Sequence, residues 1–259
     1  MSKQHHGYDE AFMLGLEWMW GEGYLSPGGP AEVAKIVDDV SLRGCHVLDI
    51  GCGTGGADIE LVNTHWAERV TGIDVEALLL ERGRKLVEQK GLSDRIDLQL
   101  VTPGVLPFDD DSFDVVFSKD SMIHIPDKQF IYTEIYRVLK PGGWVMVSDW
   151  LGVSSPPSDV MAKWLDLVGL DFILETIEHT SEVVTKCGFE LRDAVDRNQW
   201  YTEEMLKELD SISGKNFAAL VRAIGQHAAE QRLSSSTAKF EVVKGGELRP
   251  SHIRARKPG

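Results

Sequence analysis

No hydrophobic run in these 259 residues approaches the ~20 apolar residues that a membrane-crossing helix needs. The opening Met1-Ser2-Lys3-Gln4-His5-His6 lacks the apolar stretch of a signal peptide. The reading is a cytoplasmic protein that works without a membrane. Cysteine is scarce: Cys45, Cys52 and Cys187 are too few and too scattered for a disulfide framework or a zinc site, so they read as free thiols. No cluster of His, Cys, Asp and Glu has ligand spacing, and no metal is expected. Basic clusters are also missing, apart from the tail Arg249 to Lys257. A formal charge of −14 removes the electrostatic basis for binding nucleic acid and leaves a surface that tolerates small cationic or zwitterionic substrates.

What is present is one α/β domain with an elaboration. The composition, 42% hydrophobic and 26% charged, can bury a sizeable core. From Cys45 onward apolar segments alternate with helical ones, which predicts a parallel sheet with helices on both faces. The expected strands are His46–Ile50, Val70–Asp74, Ile96–Val101, Phe113–Ser118 and Trp144–Asp149. Helices are expected at Asp9–Trp20, Ala31–Val40, Ala57–Ala67, Glu76–Lys90 and Asp127–Leu139, the last ended by a turn at Lys140-Pro141-Gly142-Gly143. Beyond Gly152–Pro157, further helices are expected at Asp159–Leu174, Thr176–Cys187 and Thr202–Leu233. The last strands are Phe189–Val195 and Glu247–Ala255, the latter antiparallel.

The stretch His46 to Gly56 is an apolar strand running into a glycine-rich turn, in which Gly51, Gly53 and Gly56 satisfy G-x-G-x-x-G. A dinucleotide-binding unit is the first idea to test. Asp49 argues against it, because a carboxylate at the lip of the turn would repel a pyrophosphate. S-adenosylmethionine carries no phosphate, and its ammonium, sulfonium and ribose diol can all be met by acidic side chains or by backbone exposed over glycines. Val47 to Gly55, V-L-D-I-G-C-G-T-G, resembles motif I of the class I S-adenosylmethionine-dependent methyltransferases. That resemblance implies a Rossmann-like, seven-stranded, mostly parallel sheet. Ligands would bind at the carboxyl ends of its strands.

Asp74, followed by Val75, ends the second strand where a carboxylate can accept two hydrogen bonds from a ribose diol. After the third strand, the position where such enzymes usually place an adenine-binding Asp holds Thr102, and Pro103 beside it has no N–H to give. The fourth strand delivers Ser118, Lys119 and Asp120 to the same edge, and His124 follows at a turn. An alkylamine with a pKa of ~10 is almost wholly protonated at neutral pH. A carboxylate and an imidazole at this spacing can face one pocket and take that proton.

A narrower similarity rests on Gly21-Glu22-Gly23-Tyr24-Leu25-Ser26-Pro27-Gly28-Gly29, the glycine turn, Ser118 to His124 and Leu139 to Gly143. The chain resembles the phosphoethanolamine N-methyltransferases and, more loosely, the sarcosine and dimethylglycine N-methyltransferases. The resemblance implies that Tyr8 and His124 form a pair that closes the site and assists deprotonation, and that Tyr24, Leu25 and Ser26 contact the methionine end of S-adenosylmethionine. It also implies that Asp120 faces the substrate amine. Trp18 and Trp20 read as lid core, not as a cation cage. Phosphoethanolamine enzymes hold the phosphate with Arg and Tyr residues after the fifth strand and a Lys near the C-terminus. The matching positions here are Trp150, Leu170 and Phe172, with only Lys239 retained. Phosphate needs several charge-assisted donors, so a less anionic amine is expected unless Arg192, Arg197 or Arg222 substitutes.

The expectation is therefore a small-molecule N-methyltransferase that uses S-adenosylmethionine and releases S-adenosylhomocysteine. Residues 1–30 would be a lid segment, and residues 31–259 the methyltransferase domain with helical cap insertions at about 155–187 and 202–235. An O-, S- or C-methyltransferase would share the cofactor site. A non-catalytic module binding S-adenosylmethionine or NAD is the remaining alternative.

Overall fold

The computed structural model describes residues 9–153, 156–170 and 172–259. One mixed sheet of seven strands organises them, in the order β3-β2-β1-β4-β5-β7-β6. Its strands are β1 (His46–Ile50), β2 (Arg69–Asp74), β3 (Ile96–Leu100), β4 (Phe113–Lys119), β5 (Leu139–Gly152), β6 (Glu190–Asp196) and β7 (Leu248–Arg256). The first five pair in parallel, and β7 runs antiparallel to both β5 and β6. The order reverses between β1 and β4, so their carboxyl ends diverge and open a crevice there.

Central strands buried on both faces carry apolar side chains toward each in turn. Val47, Val70, Val115, Phe117 and Met146 join one core under α2 (Gly29–Val37), α3 (Gly56–Asn63) and α4 (Ala77–Gln89). Leu48, Ile73, Val116, Val145 and Val147 join the opposite core under α5 (Lys128–Val138) and α7 (Ile177–Lys186). A third group of helices covers the carboxyl edge: α1 (Glu10–Trp20), α6 (Asp159–Val168), α8 (Asn198–Ile212), α9 (Gly214–Ile224) and α10 (Gln226–Lys244). These helices have apolar centres of their own, around Trp164, Tyr201 and Val242 and around Ile212, Leu220 and Ala229.

Four expectations are corrected. The helix from Asp159 stops at Val168, because Gly169 takes a left-handed cap. Thr202–Leu233 is not one helix: the chain breaks at Ser213-Gly214 and again at Gly225, and the third piece runs on to Lys244. Lys140 to Gly143 belongs to the start of β5, with an irregular register opposite Phe113–Val115, and is not a free turn. The insertion expected at 155–187 divides: α6 packs with α8 and α10, whereas Val183 and Val184 of α7 pack against the sheet.

Candidate active site

The turn after β1 is held from below by β2: the N–H groups of Gly51 and Cys52 both donate to the Ile73 carbonyl, at 2.8 and 3.1 Å. Gly51 needs its glycine twice over. Its φ is +77°, and a Cβ there would run into Ser121. Three carboxylates surround the turn. Asp74 accepts from Gly53 N–H at 2.9 Å and from Glu76 N–H at 2.9 Å. Asp49 is 1% exposed and Asp58, on α3, is 0% exposed. Among the described residues, one oxygen of Asp49 and both of Asp58 have no hydrogen-bond partner in any other residue. Asp49 thus lies beneath the turn and not on its open lip.

Burial dominates the protonation of this group. It pushes Asp49 well above the usual carboxylate range, with repulsion from Asp58 and Asp74 adding to it and only Lys119 opposing. Burial likewise pushes Asp58 up to about 7. Asp74 is raised by burial too, against backbone N–H bonds and the attraction of His124. A dry acidic pocket of this kind favours either protons or a bound cation.

The loop between α1 and α2 lies on this turn. Gly56 N–H donates to the Gly23 carbonyl at 3.1 Å, and the two backbones touch so closely that a Cβ on Gly56 would collide with that carbonyl. Tyr24 is buried next to Asp58 and Glu60, which, after burial itself, drive its hydroxyl pKa up. A Cβ on Gly53 would meet Leu25 at 3.4 Å. The loop is then pinned to the end of β4: Lys119 Nζ donates to Ser26 Oγ at 2.5 Å, to the Pro27 carbonyl at 2.8 Å and to Asp120 Oδ2 at 2.9 Å. Leu25, Ser26 and Asp120 line one cavity, while Tyr24 is buried beside the glycine turn. Lys119, which ties them together, carried no expected role.

Asp120 sits in left-handed backbone at φ +58°. Its N–H donates to Ser148 O at 2.7 Å, and its Oδ1 accepts from Ser148 Oγ at 2.7 Å. Burial would raise its pKa, but Lys119 and the hydrogen bonds from Ser148, Lys119 and Ser26 outweigh it and hold the group low. Asp120 is thus a buried, ionised carboxylate. The Ser118 hydroxyl is fully buried and donates to the Ile50 carbonyl at 2.8 Å, so it clasps β4 to β1.

His124 is carried on a single 3-10 turn, Met122–His124. Lys128 donates to the Met122 carbonyl and, at 3.1 Å, to that of Ile125, while Ile123 N–H donates to Asp149 Oδ1 at 2.8 Å. The imidazole lies 5.3 Å from the Phe172 ring. Tyr8, its expected partner, lies outside the described residues. On the far side of the turn, Thr102 is exposed just beyond β3, and Val75 and Leu100, exposed by 51% and 56%, flank Asp74. Leu100 pairs with Asp74 across the β2–β3 register, which makes an apolar surface beside the expected ribose position.

Asp120 and His124 open into a cavity of about 80 Å³ that Leu25, Trp150 and Lys239 also line. Lys239 is buried among Trp20, Trp150 and Tyr201, whose ring centres lie 5.2, 5.5 and 5.4 Å from its ammonium. It donates to Glu208 at 3.4 Å. Trp20 is therefore part of a cation cage after all, around a cation of the protein itself. The arginines considered as phosphate ligands do not reach the cavity: Arg192 pairs with Asp39, Arg197 with Glu32, and Arg222 ends α9. Arg232 does line it. The signal was its helical spacing to Lys239, hidden by the expectation that the helix ends at Leu233. Among the described residues no group of three or more His, Cys, Asp or Glu side chains is placed to hold a metal ion.

Fold and site together define a Rossmann-like protein in which an acidic glycine turn and an aromatic cavity share one loop. Residues 41–182 match the family described as methyltransferase domain, and the chain belongs to it. Phosphoethanolamine N-methyltransferase 1 of Zea mays is 28% identical over 243 residues, covering 93% of this chain and 47% of its own. Sterol 24-C-methyltransferase of Gibberella zeae is 35% identical over 153 residues, covering 57% of this chain and 40% of its own. Phosphoethanolamine N-methyltransferase 2 of Haemonchus contortus, solved with phosphomonomethylethanolamine and S-adenosylhomocysteine, superposes with a TM-score of 0.87 at 24% identity, covering 95% of this chain and 57% of that one. The chain thus spans about half the length of the curated phosphoethanolamine N-methyltransferases it matches.

Proposed function

We propose that the protein is an S-adenosylmethionine-dependent methyltransferase whose acceptor is the amine of a small molecule. The observation that carries this reading is the loop Tyr24–Ser26. It touches the glycine turn on one side, and on the other it lines the cavity with Asp120 and His124. Donor and acceptor compartments are therefore one loop apart.

The residues around the turn fit the cofactor. Asp49 and Asp58 hold carboxylate oxygens with no hydrogen-bond partner among the described residues, as a ligand carrying an ammonium and a sulfonium would require. They would hold the methionine end, together with the backbone at Gly51 and Gly53 and with Tyr24. Asp74 would hold the ribose. The exposed Val75 and Leu100, with Thr102, would take the adenine. The chemistry that the cofactor supplies is a methyl group on a positively charged sulfur.

The protein's part is binding, dehydration and the handling of one proton. An amine arrives protonated and must lose a proton to expose its lone pair. Asp120 is ionised and accepts from Lys119, Ser148 and Ser26, and a remaining lone pair can accept from an amine N–H and fix its direction. His124, which lines the same cavity, would take the proton. Trp150 and Phe172 exclude water around it. The cofactor half alone does not choose the acceptor atom. The sterol C-methyltransferase relative aligns with only 57% of this chain. Mass spectrometry of products formed from S-adenosylmethionine and ethanolamine, phosphoethanolamine, glycine, sarcosine or dimethylglycine is the test. N-methylated product from one of these supports the reading, and methylation only of alcohols, thiols or carbon acids overturns it.

A further inference from the structure

The turn after β1 gathers more negative charge than the protein around it balances. Asp49, Asp58 and Asp74 reach it from β1, from the first turn of α3 and from the end of β2. Asp74 has the N–H groups of Gly53 and Glu76 as donors, and Asp49 has the attraction of Lys119. Asp58 has neither. Among the described residues, neither of its oxygens has a hydrogen-bond partner in another residue, and no cation is among the charges that act on it. Its carboxyl lies between β2 and the turn. A Cβ on Gly72 would stand 2.9 Å from its Oδ1 and one on Gly55 3.8 Å from its Oδ2, so these glycines leave it room. From β1, β2, the turn and the loop over it, the titratable groups that act together with Asp58 are Asp49, Asp74, Cys52 and Tyr24, and each of them is an acid. β3 and α4 bring only the apolar Leu98 and Val87 beside the two glycines.

A carboxyl sealed from water and surrounded by other acids resists ionisation. The first turn of α3 and the residue's own N–H favour its charged form, but burial outweighs them. In the empty site Asp58 therefore holds its proton until the pH nears neutrality. S-adenosylmethionine and S-adenosylhomocysteine share the ammonium, the carboxylate, the ribose and the adenine, and they differ by the methyl group and the one formal charge on sulfur. An added positive charge in a dry pocket favours the ionised form of the acids near it. Only the methyl-bearing ligand brings a charge that can take the place of the proton.

We propose that Asp58 distinguishes the cofactor from its spent form by charge: it is protonated in the empty site, releases its proton to solvent when S-adenosylmethionine binds, and keeps it when S-adenosylhomocysteine binds. Asp58 is thus a specificity-determining residue of the cofactor site. Once the sulfur is neutral, Asp58 is again a bare buried carboxylate, which favours release of the product. The inference rests on the use of S-adenosylmethionine and not on the nature of the acceptor.

The test is calorimetric titration of the full chain without acceptor, by S-adenosylmethionine and by S-adenosylhomocysteine, at pH 5.5 and pH 7, below the value of ~7.7 at which an α-amino group titrates. Two buffers of different ionisation enthalpy at pH 5.5 count the protons. S-adenosylmethionine should release about one proton from wild type and bind about tenfold more tightly at pH 7 than at pH 5.5, the change that linkage to one such group gives. S-adenosylhomocysteine should release almost none and bind nearly alike at the two pH values. D58N, which keeps the shape without the charge, should lose both the proton release and the pH dependence toward S-adenosylmethionine. Its affinity for S-adenosylhomocysteine should match that of wild type, which certifies its fold. Equal proton release by the two ligands from wild type overturns the proposal without any variant, and release that persists in D58N overturns the assignment to Asp58. No acceptor is present, so the amine-acceptor reading stands or falls separately.

Discussion

Lys119 and Ser26, 93 positions apart in the chain, meet at 2.5 Å, and the same ammonium reaches Asp120 at 2.9 Å. One buried cation thereby holds the loop over the glycine turn and keeps the acceptor-side carboxylate ionised. Both side chains of the ion pair are nearly sealed from water, at 5% and 6% exposure. Removing one partner of a buried pair strands the other charge, at a cost of about 3–5 kcal/mol. Lys119→Met should therefore lower the melting temperature and weaken both S-adenosylmethionine and acceptor binding in titration. Wild-type affinities for both would show that the loop is held by other means.

The buried acids make a prediction about pH. Asp58 and Asp149 have folded-state values of about 7, each raised mainly by burial, against an unfolded value of ~3.9. A carboxyl that holds its proton more tightly when folded favours the fold while protonated, and that advantage is lost as pH rises from ~4 through 7. Asp58→Asn fixes the neutral form. Its stability relative to wild type should therefore rise between pH 5 and pH 8, read as the difference in melting temperature of the unliganded proteins. Affinity for S-adenosylmethionine should fall in the same variant. Parallel melting profiles for the two proteins would show that Asp58 does not titrate in this range.

Gly56→Ala tests the backbone contact beneath the loop. The new methyl would collide with the Gly23 carbonyl, and backbone cannot step aside as a side chain can. Overpacking of this kind costs ~1–3 kcal/mol. The displaced loop should lose contact with Gly53, so cofactor affinity should drop by about tenfold or more in a titration, with far-ultraviolet circular dichroism unchanged.

His124→Ala should lower turnover by ~10²–10⁴-fold, the range of general acid–base catalysis, while cofactor affinity changes little. Lys128→Met should give a milder loss of the same kind, because Lys128 holds the Met122 and Ile125 carbonyls at either side of the histidine's turn. Single-turnover rates with saturating cofactor separate these effects from binding. Full activity in His124→Ala would remove it from the proton's path.

The glycine turn, the first five strands and the antiparallel seventh are set by local patterns. Apolar runs of five to seven residues, glycines where φ is positive and an Asp before the turn can all be read along the chain. Leu25, Ser26, Asp120, His124 and Lys239 could likewise be picked out along the chain, and the fold brings them to one cavity. Ser118 shows the limit of such reading. Its place near the end of β4 can be read along the chain, yet the direction of its hydroxyl depends on Ile50, 68 residues away.

By itself, then, the sequence determined the sheet, the glycine turn and the acidic residues that surround it, because each depends on neighbours within a few positions. Only the tertiary structure decided that Lys119 joins the two halves of the site, that Trp20 cages Lys239, and that Arg232 enters the cavity. Those are meetings between segments separated by 90 residues or more, or, for Arg232, the outcome of a helix that continues to Lys244. Periodicity along a chain carries no record of which distant face it will meet, and the charge balance of the cavity exists only once those faces are packed together.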